Sequence, residues 1–276
     1  MLHDDLLDAL GRDIADGTTS SGTGLTLEQI GARFGVSRTV AREAMRMLEA
    51  MRLVTSRRRV GLVVRPREDW DVYAPRLIRW RLDGPQRAEQ LRTLTELRIA
   101  VEPVAARAAA VAAAGDEELA ATTVRMRELG EAGRLEEFLD LDIEFHSRVL
   151  RASGNEMFAA LADAVAEVPR GRTEHGLMPA HPEEEALAAH EAVAAAVRDG
   201  DPLAAQDAME RIVDEVRRAL AVGAPAEQPI ACAPAAAPAR ALQPVRSGPR
   251  APLVRCGGPS AWSAGPRRPA RERRSP

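Results

Sequence analysis

The stretch GVSRTVAREAMRMLEAM, residues 35–51, restricts the fold more than any other part of the chain. On an α-helix, with about 100° between successive residues, Arg38, Arg42 and Arg46 form one stripe. Thr39 lies beside this stripe. The other side carries an apolar stripe that should pack on a small core, made of Val40, Ala44, Met47, Leu48 and Met51. Such a helix either presents a solvated charged surface or places its arginines in the major groove of DNA.

The residues before this helix favour the DNA-binding interpretation. Thr26, with Gln29 three residues later, has the pattern of a capping box and predicts a helix over residues 26–34. Gly35 then permits a turn, and Ser37 is suited to cap the arginine-striped helix at its N-terminus. A helix, a short turn and a second helix with a basic face are typical of a helix-turn-helix.

The residues after this helix change to β-strand periodicity. Residues 53–55 and 60–64 are β-rich and are separated by SRRR, residues 56–59. This pattern predicts a hairpin with a basic tip, which either is solvated or contacts DNA as a wing. With a further helix predicted over residues 6–16, residues 1-67 are expected to form a winged helix-turn-helix domain. The candidate DNA contacts at the tip are Arg58 and Arg59.

Charge is distributed unevenly along the 276 residues. The net charge is −3, but residues 25–67 carry a balance of +7, residues 88–220 one of −13, and residues 221–276 one of +7. A basic segment beside an acidic one indicates separate functions, with double-stranded DNA as the expected partner of the first. The two cysteines, Cys232 and Cys256, argue against a disulfide framework and against a zinc site built from cysteines.

The start of the sequence, MLHDDLLDALGRD, is acidic and lacks the basic-then-apolar order of a signal peptide. No apolar run approaches the roughly 18 residues needed to span a bilayer. We therefore expect a cytoplasmic protein with no membrane partner.

Three segments of different composition follow the first domain. Residues 88–220 are alanine-rich, apolar at helical spacing and interrupted by glycine or proline, which predicts an all-α bundle of six or seven helices. Residues 221–276 are rich in proline, alanine and arginine without periodicity, which predicts a disordered tail. The expected fold is mainly α. The linker, residues 68–87, carries the aromatic residues expected to pin the two domains together, Trp70, Tyr73 and Trp80.

Three residues of the predicted bundle have side chains suited to bind a metal. Asp142 and His146 lie four residues apart on one face of a predicted helix, and His190 belongs to a later helix. A carboxylate and two imidazoles that meet in a bundle core can bind zinc, nickel or manganese. A polar pair without metal is the alternative, because an aspartate and a histidine at this spacing are a weak signal when taken alone.

The sequence GVSRTVAREAMRMLEAMRLV, followed by VGLVVRP, resembles the winged-helix domain of the GntR family of bacterial transcription regulators. The resemblance implies that Arg38, Arg42 and Arg46 read the operator and that Gly61 is the glycine of the wing. Arg52 departs from the family pattern, which usually has glycine at the end of this helix.

The segment DLDIEFHSRVLRASGN resembles part of the FCD domain, the usual C-terminal partner of FadR-type GntR regulators. In that domain an aspartate and three histidines hold a metal. The resemblance therefore implies that Asp142, His146 and His190 are metal ligands. Ile212 stands where the family has its fourth ligand.

The missing ligand leaves two alternatives for this site. Water, a chelating effector or a histidine from the preceding loop, either His175 or His181, completes the shell of a metal. Otherwise the site is free of metal, and the same groups hydrogen-bond the effector directly. The linker resembles that of the sugar-acid repressors of this family, especially those that respond to galactonate, which implies a polyhydroxylated carboxylate as effector.

Two arginines are candidates for binding the effector carboxylate. Arg98, in ELRIAVEPVAARAAA, matches the first helix of the FCD domain, and the resemblance implies that it points into the pocket. From the residues alone, Arg98 also suits an ion pair with Glu102 on the helix surface, worth only a few tenths of a kcal/mol. Arg217, on the last predicted helix, is the second candidate.

These features predict a ligand-responsive transcription regulator, a homodimer that represses from a palindromic operator until a small carboxylate binds. Activation by the ligand is the alternative sense of regulation. A metal-dependent enzyme built on the helical bundle is a second hypothesis, although we find no supported general base and no nucleophile motif. A DNA-binding protein without an effector is the third.

Overall fold

The computed structural model describes residues 3–58, 60–112, 117–179 and 181–223. Two sequence-based predictions lie outside these residues: the DNA contact of Arg59, and the disordered tail of residues 221–276, except that its residues 221–223 are helical and so differ from the prediction. In the described residues the elements are, in chain order, α1 (His3–Ala15), β1 (Gly24–Leu25), α2 (Leu27–Phe34), α3 (Arg38–Ala50), β2 (Val54–Arg57), β3 (Gly61–Val64), α4 (Pro75–Asp83), α5 (Arg87–Ala112), α6 (Glu117–Glu131), α7 (Leu135–Ala152), α8 (Glu156–Ala159), α9 (Ala162–Val165), α10 (Glu167–Glu174), α11 (Glu184–Asp199) and α12 (Pro202–Gly223). The predicted architecture, mainly α with an N-terminal winged helix-turn-helix and a C-terminal helical bundle, is confirmed.

The caps predicted for the helix-turn-helix are present. The Thr26 hydroxyl accepts a hydrogen bond from the Gln29 backbone N–H, and the Gln29 side chain accepts one from the Thr26 N–H. Gly35 ends α2 in the left-handed conformation, with φ of 66°. Ser37 then caps α3 by accepting a hydrogen bond from the Val40 N–H. These contacts are local, so the sequence alone was sufficient to place them.

The buried face of α3 is rotated relative to the predicted stripe. Ala41, Ala44 and Leu48 are fully buried against α1, whereas Met47 is 39% exposed. The prediction that Met47 packs in the core was wrong because Ala41 moves the centre of the apolar face by part of a turn. Met47 therefore lies at the edge of this face.

A three-stranded antiparallel sheet with the order β1-β3-β2 completes this domain. Two of its details differ from the sequence-based prediction. Gly24 and Leu25, for which the sequence predicted no strand, form a short strand by pairing with β3. Ser56 and Arg57, expected at the hairpin tip, belong to β2, where they pair with Leu62 and Gly61.

The linker is a helix rather than an extended connection. A 3₁₀ turn at Arg67–Asp69 leads to α4, whose residues Leu77 and Trp80 pack with the core of the winged-helix domain. Ile78 and Leu82 pack on the opposite side, in a cluster with residues of the helical bundle. The prediction that the three aromatics pin the two domains together was wrong: Trp70 and Trp80 are buried in the winged-helix core, Tyr73 is 50% exposed, and the linker residues that pack with the bundle are Ile78 and Leu82.

The helical bundle is organised around the long helix α5, which packs against α7, α11 and α12. Its core is rich in alanine, valine and leucine, and small side chains allow the helices to approach closely. The sequence indicated a break between helices near Pro169, but the structure has the helix α10 there. Pro169 lies in the first turn of α10, where a proline is tolerated. No helix of the described residues is both long enough and apolar enough to cross a membrane.

Candidate DNA-binding surface and effector pocket

The outer face of α3 is exposed and basic. Arg38, Thr39 and Arg42 are exposed, and neither arginine forms an ion pair with another described residue. Arg46 is also exposed, and its Nη1 lies 3.1 Å from Glu43 Oε2. Exposed ion pairs of this kind are weak, so Arg46 remains able to bind another anion. The surface therefore presents three guanidinium groups on one side of a helix that the core holds by its other side.

The wing is shaped by one glycine and one side-chain contact. Gly61 has φ of 98°, and a Cβ atom there would lie 2.6 Å from the carbonyl oxygen of Leu25. Glu49, on α3, accepts a hydrogen bond from the Ser56 N–H at 2.9 Å and so holds β2 against the helix. Arg57 and Arg58 are exposed at the end of the hairpin. Arg58 was a candidate contact from the sequence, and Arg57 belongs to the basic tip that was expected either to be solvated or to contact DNA.

In the helical bundle, α7 and α11 bring together the three residues proposed as metal ligands. Asp142, His146 and His190 are all buried, and one potential ligand atom from each lies within 4.8 Å of the others. His190 Nε2 is 3.2 Å from Asp142 Oδ1, and His146 Nε2 is 3.7 Å from the same oxygen. These residues line an open cavity of about 520 Å³, a volume that includes the space at its mouth.

The second nitrogen of each imidazole faces a hydrogen-bond acceptor. His190 Nδ1 donates to the carbonyl oxygen of Ala186 at 2.7 Å, and Nε2 is directed at Asp142. His146 Nδ1 lies 2.9 Å from Glu102 Oε2. An imidazole held in this way, by a carbonyl or a carboxylate behind it, is the usual arrangement of a metal-binding histidine.

Arg98 and Glu102 form a buried ion pair rather than one on the helix surface. Their side chains are 3% and 0% exposed, and Arg98 Nε donates to Glu102 Oε1 at 2.9 Å. Burial alone raises the pKa of Glu102, but the charges of Arg98 and His146 outweigh it and lower this pKa to about 2. Glu102 is thus a charged residue of the site, which sequence analysis missed because the spacing of the pair does not reveal its burial.

Arg98 also contacts the proposed metal ligands. Its Nη2 lies 3.0 Å from His146 Nε2, the nitrogen that would bind a metal. The donor set of Asp142, His146 and His190 fits a metal with three protein ligands, provided that this guanidinium turns aside. Ile212 lines the cavity and, being apolar, supplies no fourth ligand. The two alternatives, a metal site and a site free of metal, therefore differ in the position of Arg98.

The carboxyl group of Asp142 is strongly biased toward its charged form. Burial raises its pKa, but the close approach of His190 and the charges of His146 and Arg98 outweigh this and hold the pKa far below its ordinary value. An anionic oxygen is therefore available at the centre of the group. This suits a cation, or a hydroxyl group that donates a hydrogen bond.

Arg172, on α10, is a pocket residue that sequence analysis did not single out. Its side chain is 6% exposed, its Nε has no hydrogen-bond partner among the described residues, and its ion pair with Glu215 is long, at 3.8 Å. Burial lowers its pKa more than the charge of Glu215 raises it. A buried guanidinium whose positive charge is so weakly neutralised by its neighbours is suited to bind an anion.

Three other candidate residues lie away from this group. Arg217 is 63% exposed and pairs with Asp214 at 3.0 Å, so it does not line the cavity with Arg98. His175 lies near Asp83 at the end of α4. His181 is exposed and near the carbonyl oxygen of Gly130. The structure therefore supplies neither loop histidine as a fourth ligand.

Comparison with known families agrees with both halves of this fold. The model of the bacterial regulatory proteins, gntR family, matches residues 2–64, and the model of the FCD domain matches residues 93–215. The first range contains the arginine-striped helix and the wing. The second contains Arg98, Asp142, His146 and His190.

Two proteins of Escherichia coli K12 resemble this chain. The galactonate operon transcriptional repressor is 29% identical over 219 residues, which cover 78% of this chain and 95% of that protein. The uncharacterized HTH-type transcriptional regulator YieP is 29% identical over 160 residues, covering 57% of this chain and 70% of that protein. Among solved structures, that of Lar, described as controlling the expression of the Listeria monocytogenes agr system, has a TM-score of 0.51 at 17% identity and covers 80% of this chain and 97% of that chain.

The fold and these matches define a DNA-binding transcription regulator and not an enzyme. More narrowly, the chain belongs to the GntR family and joins its winged helix-turn-helix to an FCD domain.

Proposed function

We propose that this protein is a repressor whose helical bundle binds a small carboxylate, of the sugar-acid class, and thereby alters operator binding. DNA binding is assigned to residues 1-67 and effector binding to residues 88–220, joined by residues 68–87. The protein acts in the cytoplasm as a homodimer, with its two winged helices on the half-sites of a palindrome. The resemblance to a galactonate operon repressor over most of both chains supports the choice of effector class.

The observation that carries the effector class is the incompletely paired guanidinium of Arg172 beside the Asp142, His146 and His190 group. A carboxylate on Arg172 would replace the ion pair that Glu215 makes only at 3.8 Å. The imidazoles and the Asp142 carboxylate are suited to hydrogen-bond hydroxyl groups of the same ligand. Arg98 is less suited to the carboxylate, because Glu102 already neutralises it.

If a divalent metal such as zinc, nickel or manganese occupies the pocket, Asp142, His146 and His190 hold it. The metal would then add a Lewis-acidic centre for an effector that chelates it. The bound ligand shifts the population of bundle conformations, and operator affinity follows because the two sites are linked.

The effector proposal is tested by a thermal-shift screen of sugar acids, with and without a chelator. A ligand that binds the native state raises the melting temperature. We expect Arg172→Gln to weaken binding of the best ligand by about 10- to 100-fold, since a hydrogen bond to a charged group contributes roughly 1.5–3 kcal/mol. Arg217→Gln, at an exposed arginine, should leave the affinity unchanged.

The outcomes separate the alternatives for the pocket. A stabilising ligand that loses its effect with chelator supports a metal in the pocket, and one that keeps its effect supports direct recognition. Wild-type affinity in Arg172→Gln would contradict the placement of the carboxylate. A screen without any stabilising sugar acid would contradict the effector class and leave the family assignment intact.

The DNA-binding proposal is tested with operator fragments that the wild-type protein selects from random DNA. Arg42→Ala should abolish specific binding while leaving the melting temperature unchanged, because its side chain is exposed and makes no ion pair with the described residues. Arg125→Ala, at an exposed arginine of α6, is the matched control and should bind as the wild type does. Intact operator affinity in Arg42→Ala would overturn the role of α3.

A further inference from the structure

We propose that a second divalent-cation site, formed by Asp83, Glu174 and His175, joins the end of α4 to the end of α10. The site suits zinc and other divalent first-row transition-metal ions, which accept an imidazole together with carboxylates. This site is separate from the effector pocket, and the proposal does not rest on the function assigned to that pocket.

Helix packing brings the three residues together. Asp83 is the last residue of α4, Glu174 is the last residue of α10, and His175 follows it. The two helices approach closely because Gly171 lies against Leu82, where a Cβ atom on the glycine would be 2.8 Å from Leu82 Cδ1. The ends of the two helices are thereby fixed next to each other.

The distances are compatible with one ion. A ligand atom from each residue lies within 4.8 Å of the others, and His175 Nε2 is 3.7 Å from Asp83 Oδ1. Two ligands on a tetrahedral zinc ion, each bound at about 2.1 Å, are separated by about 3.4 Å. Small side-chain rotations would bring the three atoms to this separation, with water in the fourth position.

His175 has the feature that distinguishes this group from an ordinary acidic surface. Its Nε2 atom is buried and has no hydrogen-bond partner among the described residues, although the nitrogen faces Asp83. A buried polar atom without a partner costs free energy, and an ion bound to this nitrogen would remove that cost.

The surrounding charges also favour a cation. Two carboxylates face the imidazole, and both helices end here, where the partial negative charge of their C-termini favours positive groups. Arg12 pairs with Asp83 through Oδ2, at 3.4 Å, whereas Oδ1 faces His175. One oxygen of Asp83 thus remains available, and Arg12 orients the carboxylate from behind.

A cation at this place would tie the linker helix to the bundle. Residues of α4 pack in the core of the winged-helix domain and in a cluster with the bundle. An ion that bridges Asp83 to Glu174 and His175 therefore stabilises the C-terminal end of α4 against α10.

The test measures binding of zinc to the full chain by equilibrium dialysis, in variants that separate the two sites. His190→Gln removes one ligand of the effector pocket, so zinc retained by this variant reports the second site. Adding His175→Gln to it should weaken the remaining zinc binding by about a hundredfold or more. Adding His181→Gln instead, at an exposed histidine of the neighbouring loop, should leave zinc binding unchanged. Circular dichroism and melting temperature confirm that each variant is folded.

Equal zinc binding by the His190→Gln and His175→Gln/His190→Gln proteins would overturn the proposal, as would the absence of zinc from both. Glu174→Gln provides a second variant, at an exposed side chain that does not contribute to the core, and should also weaken binding. A wild-type protein that binds one zinc equivalent, lost in His175→Gln alone, would support this site and at the same time contradict a metal in the pocket.

Discussion

At the scale of single residues, Arg52 has the most unusual backbone. It follows α3 with φ of 60°, in the left-handed region, and is the one non-glycine residue with positive φ among those described. The Arg52 N–H donates to the Glu49 carbonyl and the Leu53 N–H to the Leu48 carbonyl, which is the hydrogen-bond pattern of a Schellman motif. The helix therefore ends as it would with the glycine that GntR regulators usually have, at the cost of strain.

Arg52→Gly should stabilise the winged-helix domain. Removing the Cβ atom relieves roughly 1–2 kcal/mol of left-handed strain, and the greater freedom of glycine in the unfolded chain offsets part of this gain. We expect the free energy of unfolding to rise by about 0.5–1 kcal/mol, measured by urea denaturation. Arg52→Ala keeps the strain and should give no such increase. A destabilised Arg52→Gly protein would show that the arginine side chain itself stabilises the fold.

The buried pair of Arg98 and Glu102 gives a second prediction at this scale. Glu102→Ala leaves a buried guanidinium without its carboxylate and should cost about 3–5 kcal/mol of stability, measured by urea denaturation. The same helix offers a control, because Arg92 and Glu96 form an exposed pair at the same spacing. Glu96→Ala should cost less than about 0.5 kcal/mol. Similar costs for the two variants would contradict the buried position of Glu102.

At the scale of the elements, α4 is the part of the chain that the sequence described least well. Its buried residues, Leu77, Ile78, Trp80 and Leu82, face two different cores, so they do not form the single apolar stripe by which a helix is recognised. The two-residue strand β1 was missed for a related reason, since only its pairing with β3 makes it a strand. By contrast, the caps of α2 and α3 depend on neighbouring residues and were predicted correctly.

In the candidate site, too, the features that depend on local sequence were predicted and those that depend on the packing of distant helices were not. Asp142, His146 and His190 were predicted from their spacing and from a family resemblance, and the structure brings them together. Arg172 and Glu102 acquire their importance from burial, which depends on how distant helices pack. A sequence read one segment at a time does not contain that information.

The contact between α1 and α4 is tested by Gly11→Ala. Alanine in place of a glycine inside a helix normally stabilises it by roughly 0.5–1 kcal/mol. Here the added Cβ atom would lie 2.2 Å from Trp80 Cη2, in a core where Trp80 Nε1 also donates to Asp8 Oδ1 at 2.9 Å. We therefore expect a net destabilisation of about 1–3 kcal/mol by thermal and urea unfolding.

Gly24→Ala is the control for this substitution, since its Cβ atom would meet only Val60 Cγ1 at 3.4 Å. It should change stability much less. A stabilised Gly11→Ala protein would show that helix propensity outweighs the contact, and that Trp80 does not pack on α1 as described.

At the scale of the whole described chain, α10 is one of the bundle helices on which the linker helix α4 packs. Arg79 of α4 places its Nε 3.3 Å from Glu167 Oε2 of α10, and burial raises the pKa of this glutamate more than its arginine partners lower it. The same helix α10 carries Arg172 to the effector pocket. The arginine proposed to bind the effector and the glutamate that contacts the linker helix are thus separated by little more than one helical turn.

The two-sided packing of α4 has a consequence for building chimeric regulators. One face of this helix, with Leu77 and Trp80, is matched to the DNA-binding half, and the other, with Ile78 and Leu82, is matched to the helical bundle. A fusion joined at either end of α4 therefore brings one face that is foreign to its new neighbour. A hybrid that responds to a new ligand needs a composite linker, with alternate residues taken from each parent and the length kept unchanged, because one inserted residue rotates the remainder by about 100°.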